Sequence, residues 1–171
     1  MSEPLARPRV VLATRNAGKI HELRRILADV IDVELVGLDE FPDLPEVEET
    51  GDTFVDNALL KARDVSARTG LPAIAVDSGL CVDHLGGDPG VRSARWAGEP
   101  SNDARNLALV LEQMAGVEDR AAHFTCAAAA VVPGQGERVA EGRLHGRLID
   151  APRGSGGFGY DPIFVADGYD L

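Results

Sequence analysis

The chain has 171 residues, of which 44% are hydrophobic and 26% charged, and its formal net charge is -11. That length suits one domain with its own core, residues 1–171; no run approaches the roughly 18 apolar residues of a membrane helix, and Met1–Arg9 lacks the apolar core of a signal peptide, so a cytoplasmic protein is expected. A broadly acidic surface repels a polyphosphate backbone, which excludes extended nucleic-acid binding but leaves room for a small phosphorylated ligand held locally with a metal.

In chain order, Arg9–Thr14 (RVVLAT) predicts a buried strand. Ala17–Val30 follows with helical spacing, Ile20, Leu23, Leu27 and Val30 falling on one face. Val33–Leu38 predicts a second strand. Leu38–Glu49, with two prolines and six acids, predicts a loop. Asp52–Thr69 reads as a helix with Phe54, Ala58, Ala62 and Val65 inward, capped by Thr50 or Asp52 and closed by Gly70 and Pro72. Ala73–Val76 is an apolar strand, Gly86–Gly98 is irregular, and Asn102–Met114 is a third helix with Leu107, Val110, Leu111 and Met114 inward. Phe124–Val132 and Arg138–Ile149 flank Pro133-Gly134-Gln135-Gly136 and predict an antiparallel hairpin. In its second arm Ala140, Gly142, Leu144, Gly146 and Leu148 alternate with polar residues, so one wet face is expected. Asp161–Ala166 predicts a last strand. Helices alternating with strands and then a hairpin give an α/β domain with a mixed sheet. Cys81 and Cys126, distant and unpatterned, predict two buried reduced thiols.

Four segments carry residues suited to chemistry. Thr14-Arg15-Asn16-Ala17-Gly18-Lys19 lies between a strand and a helix. There, unpaired N–H groups and the helix dipole attract anions, Asn16 can cap the helix, and Lys19 can reach a phosphate. It is not a P-loop, because Ala13 and Ile20 stand where that pattern requires Gly and Ser or Thr. Alone, it reads first as a plain capped helix with a solvated lysine. Glu48-Glu49-Thr50-Gly51-Asp52 offers adjacent carboxylates for a hard cation, or simply an acidic loop. Asp77-Ser78-Gly79 follows an apolar strand, where open α/β sheets place ligand groups; it is also a turn-forming tripeptide. In Gly154–Pro162, glycines admit a ligand close to the backbone, Phe158 and Tyr160 offer faces to a base, and Asp161 offers an acceptor. Lys61, Arg92, Arg95 and Trp96 read first as solvated or packing groups. The four histidines have no metal-ligand spacing, and no Ser/His/Asp arrangement is evident.

The order of the segments is more telling than any one of them. The chain runs TRNAGKxxE, then EETGDTFVDNALLKA, then AVDSGLCVDHLGGDPGVRSARWAG, then GSGGFGYDPIF. This series closely resembles the inosine triphosphate pyrophosphatase family over about Val10–Phe164. The resemblance implies a magnesium-dependent hydrolase that converts ITP, dITP and XTP to the monophosphate and pyrophosphate. It further implies a homodimer, and an elongated mixed sheet flanked by helices in two lobes with an active-site cleft between them.

By position, Thr14, Arg15, Asn16, Ala17, Gly18 and Lys19 match the family's triphosphate loop, and Lys61 a lysine near the phosphates. Glu48 and Glu49 match an acidic pair, one of which holds Mg²⁺. Asp77 matches the acid that binds metal and accepts a proton, with Ser78 beside the substrate, and Lys19 assists catalysis. Phe158, Gly159, Tyr160 and Asp161 match the base-binding loop. Two departures stand out. Val76 occupies a position where the family commonly has a further acid. The family's later lysine and Ser-His-Arg motif, which read the purine 6-oxo group, have no counterpart up to Leu171. The alternatives are a pyrophosphatase for other modified nucleotides, such as methylated pyrimidine triphosphates, and a nucleotide-binding protein that has lost catalysis, which only Val76 favours.

Overall fold

The computed structural model describes residues 5–169. Its strands are β1 (Arg9–Leu12), β2 (Glu34–Val36), β3 (Ala73–Val82), β4 (Ala121–Val132), β5 (Gly136–Leu148) and β6 (Phe164–Ala166); its α-helices are α1 (Ala17–Ala28), α2 (Phe54–Thr69) and α3 (Asp103–Gln113). One sheet runs in the order β2-β1-β3-β4-β5-β6. β1 pairs in parallel with β2 and β3, and β5 pairs antiparallel with β6, so the sheet is mixed as expected. The chain forms two compact units, 1–77 with 127–140, and 78–126 with 141–171.

In the first unit, Val11 and Leu12 of β1 and Ala73 and Ala75 of β3 are buried or nearly so. α2 starts at Thr53, whose hydroxyl accepts from the Asp56 N–H at 3.1 Å, and stops at Gly70 in the left-handed conformation. The cap is therefore Thr53 rather than Thr50 or Asp52. Its inward residues are as expected, Ala58 and Ala62 being fully buried.

α1 departs from expectation. Asn16 caps it, yet none of its residues is buried, and Val30, beyond its end, is 71% exposed. The spacing marked an amphipathic helix correctly but did not fix how deeply its apolar face packs.

The second unit has a core of Leu80, Val82, Leu107, Val110, Met114, Ala122, Leu148, Tyr160 and Ile163. Arg120 closes it at one edge, donating to the carbonyls of Met114, Leu148 and Ile149. The segment expected to be irregular, Gly86–Gly98, contains a 3-10 turn at Gly90–Arg95, and another, Asp83–Leu85, precedes it.

Three further expectations change. β3 does not end at Val76 but continues through Asp77-Ser78-Gly79 to Val82. A strand with neighbours on both sides, β1 and β4, overrides the local turn preference of those residues. β5 was expected to have one wet face, yet Gly136–His145 is exposed on both, and only Gly146 and Leu148 are buried. Burial begins where β6 pairs, at Gly146, Arg147 and Leu148. Cys81 is buried as expected, but Cys126 is exposed.

Candidate active site

The parallel register of β1 and β3 pairs Leu12 with Ile74. Continuing it brings the loop after β1 alongside Val76 and Asp77. In that loop the Thr14 hydroxyl accepts from the Asn16 N–H at 3.1 Å, and the Asn16 side chain accepts from the Lys19 N–H at 3.1 Å. These bonds shape the start of α1, where the Lys19 N–H is satisfied by the cap. Arg15 donates to the Leu44 carbonyl at 2.8 Å and so ties this loop to the acidic one.

Asp77 is 4% exposed. Burial, and then the charge of Glu49, hold its carboxyl above the ordinary aspartate range, against the opposing pull of Lys61, Lys19 and an Asn57 N–H. The side chain of Lys61, itself buried, donates to the Val76 carbonyl at 2.7 Å and pairs with Glu49 at 3.0 Å. Four of the anticipated residues, Lys19, Glu49, Lys61 and Asp77, therefore form one electrostatic group within the first unit. Glu48 lies exposed, outside that group. Val76 is buried and offers only its carbonyl.

Sequence reasoning missed Asn57. It is 1% exposed on the inner face of α2; its amide donates to Asp77 at 3.2 Å and accepts from the Gly51 N–H at 2.7 Å. The available signal was a polar residue on the apolar stripe, next to Ala58 and one turn before Lys61.

The aromatic loop belongs to the second unit. The Asp161 carboxylate accepts from the Phe158 N–H at 3.0 Å, so it organises the loop. Gly157 is needed there, because a Cβ would lie 2.2 Å from that carboxylate. Gly159, with φ +59°, donates to Asp103 at 3.3 Å. Phe158 is 43% exposed, whereas Tyr160 is 6% exposed and its hydroxyl donates to the Ser93 carbonyl at 2.6 Å. Tyr160 thus supports the loop from within the core, and the expectation of an open ring face is corrected. The Ser93 hydroxyl in turn donates to Gly90 at 2.7 Å and accepts from the Leu80 N–H at 2.9 Å. Ser78, half-buried in β3, follows directly on Asp77.

Among the described residues no group of three or more His, Cys, Asp or Glu side chains is arranged to hold a metal. The donor set still suits Mg²⁺, which is commonly held by one or two carboxylates and completed by substrate phosphates and water. Asp77 and Glu49, whose charges interact, are the two carboxylates that would offer such donors.

The model of the Ham1 family matches residues 10–171. The chain belongs to the Ham1 family. It is 58% identical over 163 residues to the dITP/XTP pyrophosphatase of Streptomyces coelicolor, covering 94% of this chain and 82% of that one. The crystal structure of a nucleoside-triphosphatase, or dITP/XTP pyrophosphatase, from Mycobacterium abscessus superposes with a TM-score of 0.79 at 48% identity, covering 94% and 85%. A HAM1 protein from Coxiella burnetii gives 0.81 at 41% identity, covering 92% and 81%. In this Ham1 chain, then, the ordered motifs reflect common descent over almost the whole length, and the mixed α/β sheet is the fold of its solved relatives.

Proposed function

We propose that this chain hydrolyses deaminated purine nucleoside triphosphates, of the dITP and XTP type, to the monophosphate and pyrophosphate. The observation that carries the reading is Asp77: a carboxylate almost removed from water, held by Asn57 and ringed by Glu49, Lys61 and Lys19. A structural aspartate gains nothing from that burial. A group that must accept a proton near neutral pH does, because a raised pKa makes it a better base.

In this reading Asp77 takes a proton from water as the water oxygen attacks the α-phosphorus. The bond from that phosphorus to the bridging oxygen breaks, and pyrophosphate leaves with the electron pair. Lys19, Lys61 and the N–H groups at the start of α1 hold the outer phosphates. Glu49, rather than the exposed Glu48, joins Asp77 in holding Mg²⁺, which when bound neutralises charge building on the leaving pyrophosphate. Val76 provides no carboxylate, so the ligand set is narrower than the family pattern. Phe158 stacks on the base, with Tyr160 and Asp161 fixing its loop.

The family resemblance supports a cytoplasmic homodimer. No helix among the described residues is long and apolar enough to cross a membrane.

The test is a triphosphate panel with Mg²⁺ and identification of the product. Pyrophosphate from dITP, ITP and XTP, with much slower turnover of dATP and dGTP, is expected. Orthophosphate as product, faster turnover of methylated pyrimidine triphosphates, or binding without turnover refutes it.

A further inference from the structure

We infer that Asn57 is a positioning residue for this hydrolysis, clamping the Asp77 carboxylate and the loop that bears Glu49 at a fixed separation. The inference rests on the hydrolytic reading above and adds to the single Asn57–Asp77 bond named there a role in catalysis that the reading does not assign.

The orientation of the amide follows from chemistry. The Gly51 N–H can only donate, so the group 2.7 Å from it must be the amide oxygen. The amide NH₂ then necessarily faces Asp77 Oδ2, at 3.2 Å. One oxygen of Asp77 is thereby committed to Asn57, which fixes how the carboxylate is turned.

The other end of the clamp is equally constrained. A Cβ on Gly51 would lie 2.6 Å from the Asp56 Cβ and 2.7 Å from the Asn57 amide oxygen, so the loop backbone is drawn directly against α2. Lys61, one helical turn after Asn57, pairs with Glu49 in the same loop at 3.0 Å. α2 thus grips the acidic loop at two points, through a neutral amide and through a charge, and Asn57 alone also grips Asp77.

A neutral residue suits that place. A cation there would compete with Lys61 for Asp77, and an acceptor would leave its Oδ2 without a donor. A simple core role would be met by alanine or leucine, without two polar groups to satisfy at 1% exposure.

The experiment compares wild type, Asn57→Asp and Asn57→Ala, each as the full chain with Mg²⁺ and dITP. It measures kcat and KM, circular dichroism, and hydrogen exchange at the Gly51 amide. Asn57→Asp keeps an acceptor for Gly51 but offers Asp77 no N–H, so Gly51 stays protected while kcat falls about 10²-fold. KM stays within about 3-fold, because the phosphate-holding groups are untouched. Asn57→Ala loses both the protection and the rate.

Folded Asn57→Asp with near wild-type kcat overturns the inference while leaving the hydrolytic reading intact. Loss of the folded spectrum in both variants also overturns it, since the clamp would then serve only stability. A wild-type chain that releases no pyrophosphate from dITP or XTP overturns the hydrolytic reading, and this inference with it.

Discussion

The two units hold their candidate groups by opposite means. In the first, charged groups are buried together: Asp77 and Lys61 are almost out of water, with Asn57 donating to Asp77 and Glu49 pairing with Lys61. In the second, the aromatic loop stands on the Tyr160 hydroxyl, which donates to the Ser93 carbonyl, and on the Phe158 and Gly159 N–H groups, which donate to the exposed carboxylates of Asp161 and Asp103, above an apolar cluster. Buried charge is costly to keep and tuned for chemistry; a support whose charges stay in water costs less and presents a surface. On the proposed hydrolytic reading, the first arrangement suits bond breaking and the second suits presenting a ring face to a base.

Substitutions on each side sharpen it. The largest effect on stability is expected from Lys61→Ala, which strands the Val76 carbonyl and removes the countercharge from Glu49 and Asp77. It should cost about 2–3 kcal/mol in urea denaturation and abolish most turnover. Gly157→Ala forces the Asp161 carboxylate away from the Phe158 N–H. It should cost about 1–2 kcal/mol and raise KM for dITP more than it lowers kcat. Tyr160→Phe removes one buried hydrogen bond and should lower stability by about 1 kcal/mol, with a smaller rise in KM. Phe158→Ala, at a partly exposed position, should shift stability by no more than about 0.5 kcal/mol, while KM for dITP rises roughly 10-fold through lost stacking. If Phe158→Ala instead lowers kcat at unchanged KM, the division of labour between the units is wrong.

Much of this was legible in the sequence because the signals are local. The Asn16 cap, the inward stripe Phe54, Ala58, Ala62 and Val65, and the Gly70 stop each depend on residues within a turn or two. What was not legible depends on neighbours distant in sequence. Asp77-Ser78-Gly79 has turn chemistry, but strands on either side keep it extended. Tyr160 looked available for stacking because a glycine-rich loop suggests exposure; only the fold shows the Ser93 carbonyl that draws its hydroxyl inward. Cys126 and the arm of β5 show the same limit, since alternation states which residues share a face and not whether anything covers it. In the site, the order of the motifs and the family resemblance it carries pointed to Asp77, Lys19, Lys61 and Glu49, whereas Asn57 was hidden because an asparagine on a helix has many ordinary explanations.

The most direct measurement is made on Asp77→Asn, by pairing melting temperature with pyrophosphate release. The native environment raises the aspartate's pKa, so ionising it weakens the fold. The stability Asp77 contributes is fully present below its unfolded-state range and is lost as pH rises through its higher folded-state value. The neutral variant should therefore melt higher than wild type at pH 7, with the gain disappearing as pH falls below the ordinary aspartate range. Pyrophosphate release from dITP should fall by about 10²–10⁴-fold. A variant that releases pyrophosphate at near wild-type rate would contradict the claim that this buried carboxylate is kept for chemistry.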